Sequence, residues 1–192
     1  MAGLFFFIVL CQTAPMLRLF VALPIRPDIG DQLIPLQKGV SGASWRPPVN
    51  FHITLRFFGD VEPNLAVDLD AALAEIRAPQ MKLSLAGAGW FGRREPSALW
   101  AGVAYHEPLA ALAGQCERVA RRLGMGVEKR KFLPHVTLAY CHGTLPEEAA
   151  KFADRHKGFS TAEFWADRFH LYSSHMGNGP SRYIAEAEYP LV

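Results

Sequence analysis

From residue 16 onward the apolar positions follow two rhythms. Short apolar runs and period-two alternation, bounded by Gly, Pro and polar residues, predict strands at 17–23, 51–58, 81–89, 98–105, 135–141, 162–172 and 182–189. Spacing by three and four predicts helices. Leu65, Leu69, Ala72, Leu73 and Ile76 recur this way behind Pro63, and Leu109, Leu112, Cys116, Val119 and Leu123 form a stripe between Pro108 and Gly124. A short helix at 28–38, weakened by Pro35, and a polar helix near 146–157 complete the set. The WRPP at 45–48 reads as an extended loop leading into the strand at 51–58. Helices do not alternate strictly with single strands, so the pattern predicts an α+β fold with mostly antiparallel pairing.

The first fifteen residues break this pattern. Residues 4–10 (LFFFIVL) form an uninterrupted apolar run with no Lys or Arg before Arg18. Seven residues are too few for a bilayer that needs about 20, and a secretory signal needs a basic start and a clearer small-residue cleavage site. Residues 1–15 are therefore expected to be a dispensable extension created by an upstream start. Residues 16–192, opening on MLRLFVALP, are expected to form a single domain.

Composition narrows the partners. The 192 residues carry a net charge of +2, half of them are apolar, and Gly and Pro are scattered, which excludes wholesale disorder. Domains that coat nucleic acid by bulk charge usually have a pI above about 9, so any contact with RNA is expected to be local. Cys11, Cys116 and Cys141 contain no CxxC pair and predict neither a disulfide framework nor a thiolate metal site. A monomer in the reducing cytoplasm, with no membrane association, is the expectation.

One tetrapeptide occurs twice, as His52-Ile53-Thr54-Leu55 and His135-Val136-Thr137-Leu138, 83 residues apart. With 7 His, 5 Thr and 22 Leu in the chain, about 0.02 chance HxTL matches are expected, so two copies are not coincidence. Alternation on a strand puts His52, Thr54 and Arg56 on one face and Ile53, Leu55 and Phe57 in the core. The second copy likewise sets His135 and Thr137 against Val136, Leu138 and Tyr140. Two such strands facing each other make a groove with paired imidazoles. One neutral imidazole can take a proton from a nucleophile while one imidazolium protonates a leaving oxygen, and the threonines can bond nonbridging phosphate oxygens. No HExxH, acidic cluster or Cys/His quartet predicts a metal, and no cofactor is expected.

These strands, with WRPPVNFHITLRFFGDV, the GAGWFG segment at 87–92, LWAGV at 99–103, RKFLPHVTLAY at 130–140 and the closing LYSS and YIAEAEYPL, resemble the 2H phosphoesterase superfamily. The resemblance covers residues 16–192 and is to the RNA 2′,3′-cyclic phosphodiesterase branch, historically called 2′-5′ RNA ligases. It implies a two-lobed, pseudo-twofold α+β fold with one HxTx strand per lobe and a central cleft. It also implies metal-independent opening of 2′,3′-cyclic phosphates on RNA ends or small nucleotides to 2′-phosphomonoesters. His52 would be the proton donor and His135 the proton acceptor.

The sequence departs from its relatives at Tyr140, where an Arg often follows the second motif. Arg56 is the expected substitute for its charge, with Arg130 and Lys131 as further candidates. Trp90 and Phe91 are either base-stacking or core residues, and Arg93 and Arg94 could steer RNA. The competing readings are action on another cyclic or 2′-5′ linked nucleotide, and a nucleotide- or RNA-binding module without catalysis.

Overall fold

Hydrophobic alternation and proline placement set the elements, in a computed structural model that describes residues 15–175 and 181–192. In chain order they are β1 (Leu17–Pro24), α1 (Pro27–Leu33), β2 (Ala43–Trp45), β3 (His52–Val61), α2 (Pro63–Ala74), β4 (Met81–Leu83), β5 (Leu85–Phe91) and β6 (Ala98–Val103). Then come α3 (Glu107–Arg122), β7 (His135–Cys141), α4 (Pro146–Arg155), β8 (Phe164–Ala166), β9 (Arg168–His175) and β10 (Arg182–Pro190). Among the described residues, each of the four α-helices has a proline in its first turn, where no backbone N–H is missed. Pro35 ends α1 early, in a 3₁₀ turn at Ile34–Leu36. The expected extension at 1–15 lies outside the described residues except for Pro15.

All pairings are antiparallel, as the pattern predicts. Seven strands run in the order β10-β9-β1-β3-β7-β6-β5, β2 also pairs with β7, and β4 and β8 form a separate ribbon. Strand β2 is not predicted from the sequence, and it ends at Trp45, the first residue of the loop expected at 45–48. Its three residues find a partner almost a hundred positions away, which local propensity does not register.

The large sheet is two half-sheets joined at one residue pair, Ile53 opposite Val136. Beyond that pair, β2 takes over the same edge of β7 at Ala139–Cys141. Helix α3 buries Leu109, Leu112, Cys116 and Val119 and packs behind β3, so the core lies between the helices and one face of the sheet. The other face carries the cleft.

Both HxTL strands contain a bulge at the same motif position. Val21 opposes Arg56 while Ala22 opposes Thr54, leaving Leu55 unpaired; Leu99 opposes Ala139 while Trp100 opposes Thr137, leaving Leu138 unpaired. The extra residue reverses the alternation beyond it. Two expectations are thereby corrected. Arg56 leaves the face of His52 and Thr54 and turns toward α3, and Phe57 and Tyr140 emerge on the cleft face instead of entering the core.

Glycine 89, in the GAGWFG segment, has a specific packing duty. A Cβ there would stand 2.3 Å from the ring of Trp100, which lies across it. Gly89→Ala is expected to displace that indole and cost about 1–3 kcal/mol of stability. Thermal denaturation checks this, and an unchanged melting temperature would show that the ring relocates freely.

Candidate active site

Antiparallel pairing about Ile53 and Val136 fixes how the motif residues meet. The register carries Thr54 toward His135 and His52 toward Thr137, all four on the face opposite the buried Ile53, Leu55, Val136 and Leu138. The two histidines are diagonal neighbours, for which the separation is roughly 7–8 Å. A phosphoryl group fits between two imidazoles so placed.

The rings are held alike. His52 Nδ1 lies 2.7 Å from the carbonyl oxygen of Asn50, and His135 Nδ1 lies 2.7 Å from that of Leu133. A carbonyl only accepts, so each Nδ1 carries the hydrogen and each Nε2 is left for proton transfer. Aromatic rings close around both. Phe20 lies 5.0 Å and Tyr183 5.3 Å from the His52 ring; Phe91 meets His135 edge-on at 4.8 Å, backed by Trp100 at 6.3 Å. Phe91 is thus a site residue, while Trp90 packs against the core.

This apolar casing disfavours imidazolium. Burial drives His52 down to about 4, against the opposing pull of the Asn50 carbonyl and with help from the positive charges of His135 and Arg46. Burial also lowers His135, opposed by the Leu133 carbonyl. Both shifts favour the neutral ring in the free protein.

Two depressions meet at the motif. One of about 360 Å³ is lined by His52, Thr54, Phe57, Tyr140, Arg18 and Tyr183 among others. The second, of about 720 Å³, contains His135, Phe91, Phe132 and Arg130 and runs along the Ala110–Gly114 stretch of α3. They share Thr54 and Phe57, so they form one cleft with a histidine in each half. Thr137 lies on the same strand face by register but lines neither depression.

Of the three expected cations, Lys131 lines the His135 depression and the two arginines are held by carboxylates. Arg56 Nε meets Glu117 Oε2 at 2.6 Å, and its Nη atoms donate to the carbonyls of Phe57 and Gly126. It borders the His135 depression but is tied to α3, on the side away from His52. Arg130 forks onto Glu128 at 3.1 and 2.9 Å with its side chain largely exposed on the rim. Residues the motifs do not signal stand at the cleft instead: Arg18, over the Phe57 ring at 5.0 Å, Tyr183, and the buried Arg46 behind Tyr140. The clearest available sign of Arg46 is an arginine in WRPP with no acidic residue nearby in sequence. Among the described residues no group of three His, Cys, Asp or Glu could hold a metal ion, and no helix is long and apolar enough to cross a membrane.

Comparison with known proteins agrees with the duplication. The family model described as LigT like Phosphoesterase matches twice, at residues 23–100 and 103–181, and each match contains one HxTL strand. An RNA 2′,3′-cyclic phosphodiesterase of Aeropyrum pernix is 40% identical over 96 residues, 49% of this chain and 54% of that protein. One of Geobacillus stearothermophilus is 31% identical over 182 residues, 90% of this chain and 57% of that protein. The chain thus spans little more than half the length of these two relatives. The crystal structure of Escherichia coli LigT complexed with 3′-AMP superposes with a TM-score of 0.77 at 27% identity, covering 92% of this chain and 98% of that one. The two family-model matches together span most of the sequence, and the chain belongs to the LigT-like phosphoesterases of the 2H superfamily.

Proposed function

We propose that this chain hydrolyses 2′,3′-cyclic phosphodiesters on RNA ends or small nucleotides to 2′-phosphomonoesters, by acid–base transfer between two histidines and without a metal. The observation that carries the reading is the matched pair of imidazoles. Each has its Nδ1–H fixed by the carbonyl two residues earlier, and the two sit diagonally across one seam. A binding module needs no such matched tautomers. The names borne by the relatives from Aeropyrum and Geobacillus support the same substrate class.

In this mechanism His135 Nε2 takes a proton from water as the water oxygen bonds to phosphorus. The P–O3′ bond breaks, and protonated His52 Nε2 gives its proton to the departing O3′. Thr54 donates a hydrogen bond to a nonbridging oxygen, and Thr137, opposite His52 on the same strand face, donates another. The protein works as a monomer in the cytoplasm, with no cofactor.

The donor role makes a demand on the substrate. His52 is neutral in the free protein, so the phosphate anion must restore its proton by bringing negative charge beside it. The alkaline limb of kcat is therefore expected at higher pH than that of kcat/KM, by roughly 1–3 pH units. Coincident limbs in steady-state profiles would assign the donor role to another group.

His52→Ala and His135→Ala should each lower kcat by about 10²–10⁴-fold on a 2′,3′-cyclic mononucleotide, with the double variant losing less than the product of the two. Activity should persist in EDTA. Near-parent turnover by either single variant, or loss in chelator with rescue by a divalent ion, would overturn the mechanism.

Arg56→Ala separates the structural role of that residue from the expected one. It removes one of the two arginines paired with Glu117, the other being Arg121, and should lower stability by about 1.5–3 kcal/mol while KM stays near the parent value. A large rise in KM with unchanged stability would return Arg56 to the phosphate.

A further inference from the structure

Arg46 is a buried cation whose partners are all neutral. The residue is only 7% exposed. Its backbone is pinned beside the bulge of β7: the Arg46 N–H donates to the Leu138 carbonyl at 2.8 Å, and Gln37 Nε2 donates to the carbonyls of Arg46 at 2.7 Å and Leu138 at 3.1 Å. The guanidinium lies 5.3 Å from the ring of Tyr140 and 5.6 Å from that of Tyr183. Nη2 donates to the Ser181 carbonyl at 3.4 Å and to the Tyr183 hydroxyl at 3.3 Å. Among the described residues no carboxylate forms an ion pair with it.

Tyr140, Ser181 and Tyr183 all line the depression at His52, so this charge stands directly behind its wall. A buried charge is costly unless it is paired, and aromatic faces recover only part of that cost. The cation is complete only when an anion enters. In the other half of the cleft Arg56 and Arg130 each have a carboxylate partner, Glu117 and Glu128, while Lys131 lines that half with no ion pair among the described residues.

Tyr183 extends the reach of the charge into the depression. Its oxygen accepts from Arg46, and its own proton, directed at the neighbouring Tyr140, can turn to an anion that enters the depression. Burial raises its pKa, so the phenol keeps that proton at neutral pH.

We propose that Arg46 and Tyr183 form the phosphoryl-anion subsite of the cleft, Arg46 supplying the charge and the Tyr183 hydroxyl a hydrogen bond to a nonbridging oxygen beside His52. This deepens the hydrolase reading and rests on it for the identity of the anion. It does not depend on which histidine donates.

The test measures binding of inorganic phosphate to the purified full chain by calorimetry, and kcat and KM on a 2′,3′-cyclic mononucleotide, for Arg46→Met, Arg46→Lys and Tyr183→Phe. Arg46→Met should weaken phosphate binding roughly 10–100-fold, the loss of a charged hydrogen-bonding partner, and raise KM in parallel. Arg46→Lys should fall between Met and the parent, since it keeps the charge but not the planar fork. Tyr183→Phe, which removes one oxygen and leaves the ring, should weaken phosphate binding several-fold.

Parent-like phosphate affinity in folded Arg46→Met overturns the proposal, as does a parent protein that binds no phosphate. If Arg46→Met does not fold, unchanged affinity and KM in Tyr183→Phe overturn it instead. Should the parent bind phosphate in the expected order yet turn over no cyclic phosphate, the subsite stands and the substrate assignment falls. Should the parent turn over substrate while Arg46→Met binds phosphate like the parent, the subsite falls and the hydrolase reading stands.

Discussion

The pairing of Ile53 with Val136 is the contact on which the cleft depends. It is a single backbone pairing between two half-sheets, and both residues are fully buried. Because strand side chains alternate, a slip of one residue at this seam would send one histidine into the core and bring a valine or isoleucine to the surface. Burial of those two apolar side chains therefore holds the register, and the register places the imidazoles. The seam stays short because β2 occupies the rest of that edge of β7.

The duplication explains how two halves of a chain make one site. In each family-model match an HxTL strand is followed by a helix opened by proline, a short strand and a long strand. The long strand then joins the other half-sheet: β5 pairs with β6 next to β7, while β9 pairs with β1 next to β3. Neither half-sheet is complete without its counterpart. The short strands β4 and β8 pair with each other, which keeps the same exchange symmetry.

Charge is unevenly distributed over this near-symmetric frame. Burial disfavours the charged form of both histidines, most of all at His52, where the nearby Arg46 charge adds a small further contribution. Carboxylates neutralise the arginines at the His135 end, while the arginine behind His52 meets only phenol rings, a hydroxyl and a carbonyl. Pseudo-symmetric backbones thus carry asymmetric electrostatics, the condition under which two identical side chains can perform opposite proton transfers.

Much of this was legible in the sequence. Apolar periodicity marks α2, α3 and most strands, Pro63 and Pro108 mark the starts of those two helices, and the repeated HxTL marks the two histidines and their threonines. These are local signals, carried by residues a few positions apart. What tertiary structure decided is non-local. The bulges at Leu55 and Leu138 look like ordinary alternation until the neighbouring strands show which residue lacks a partner. They reverse Arg56 with Phe57 and bring Tyr140 onto the cleft face, against the period-two expectation. Strand β2 and the placement of Arg46 likewise depend on a partner strand almost a hundred residues away. The sequence by itself determined which chemistry is present, because residue type and local period are written in it. Only the folded chain decided which cations face the cleft, because that depends on backbone pairings between distant segments.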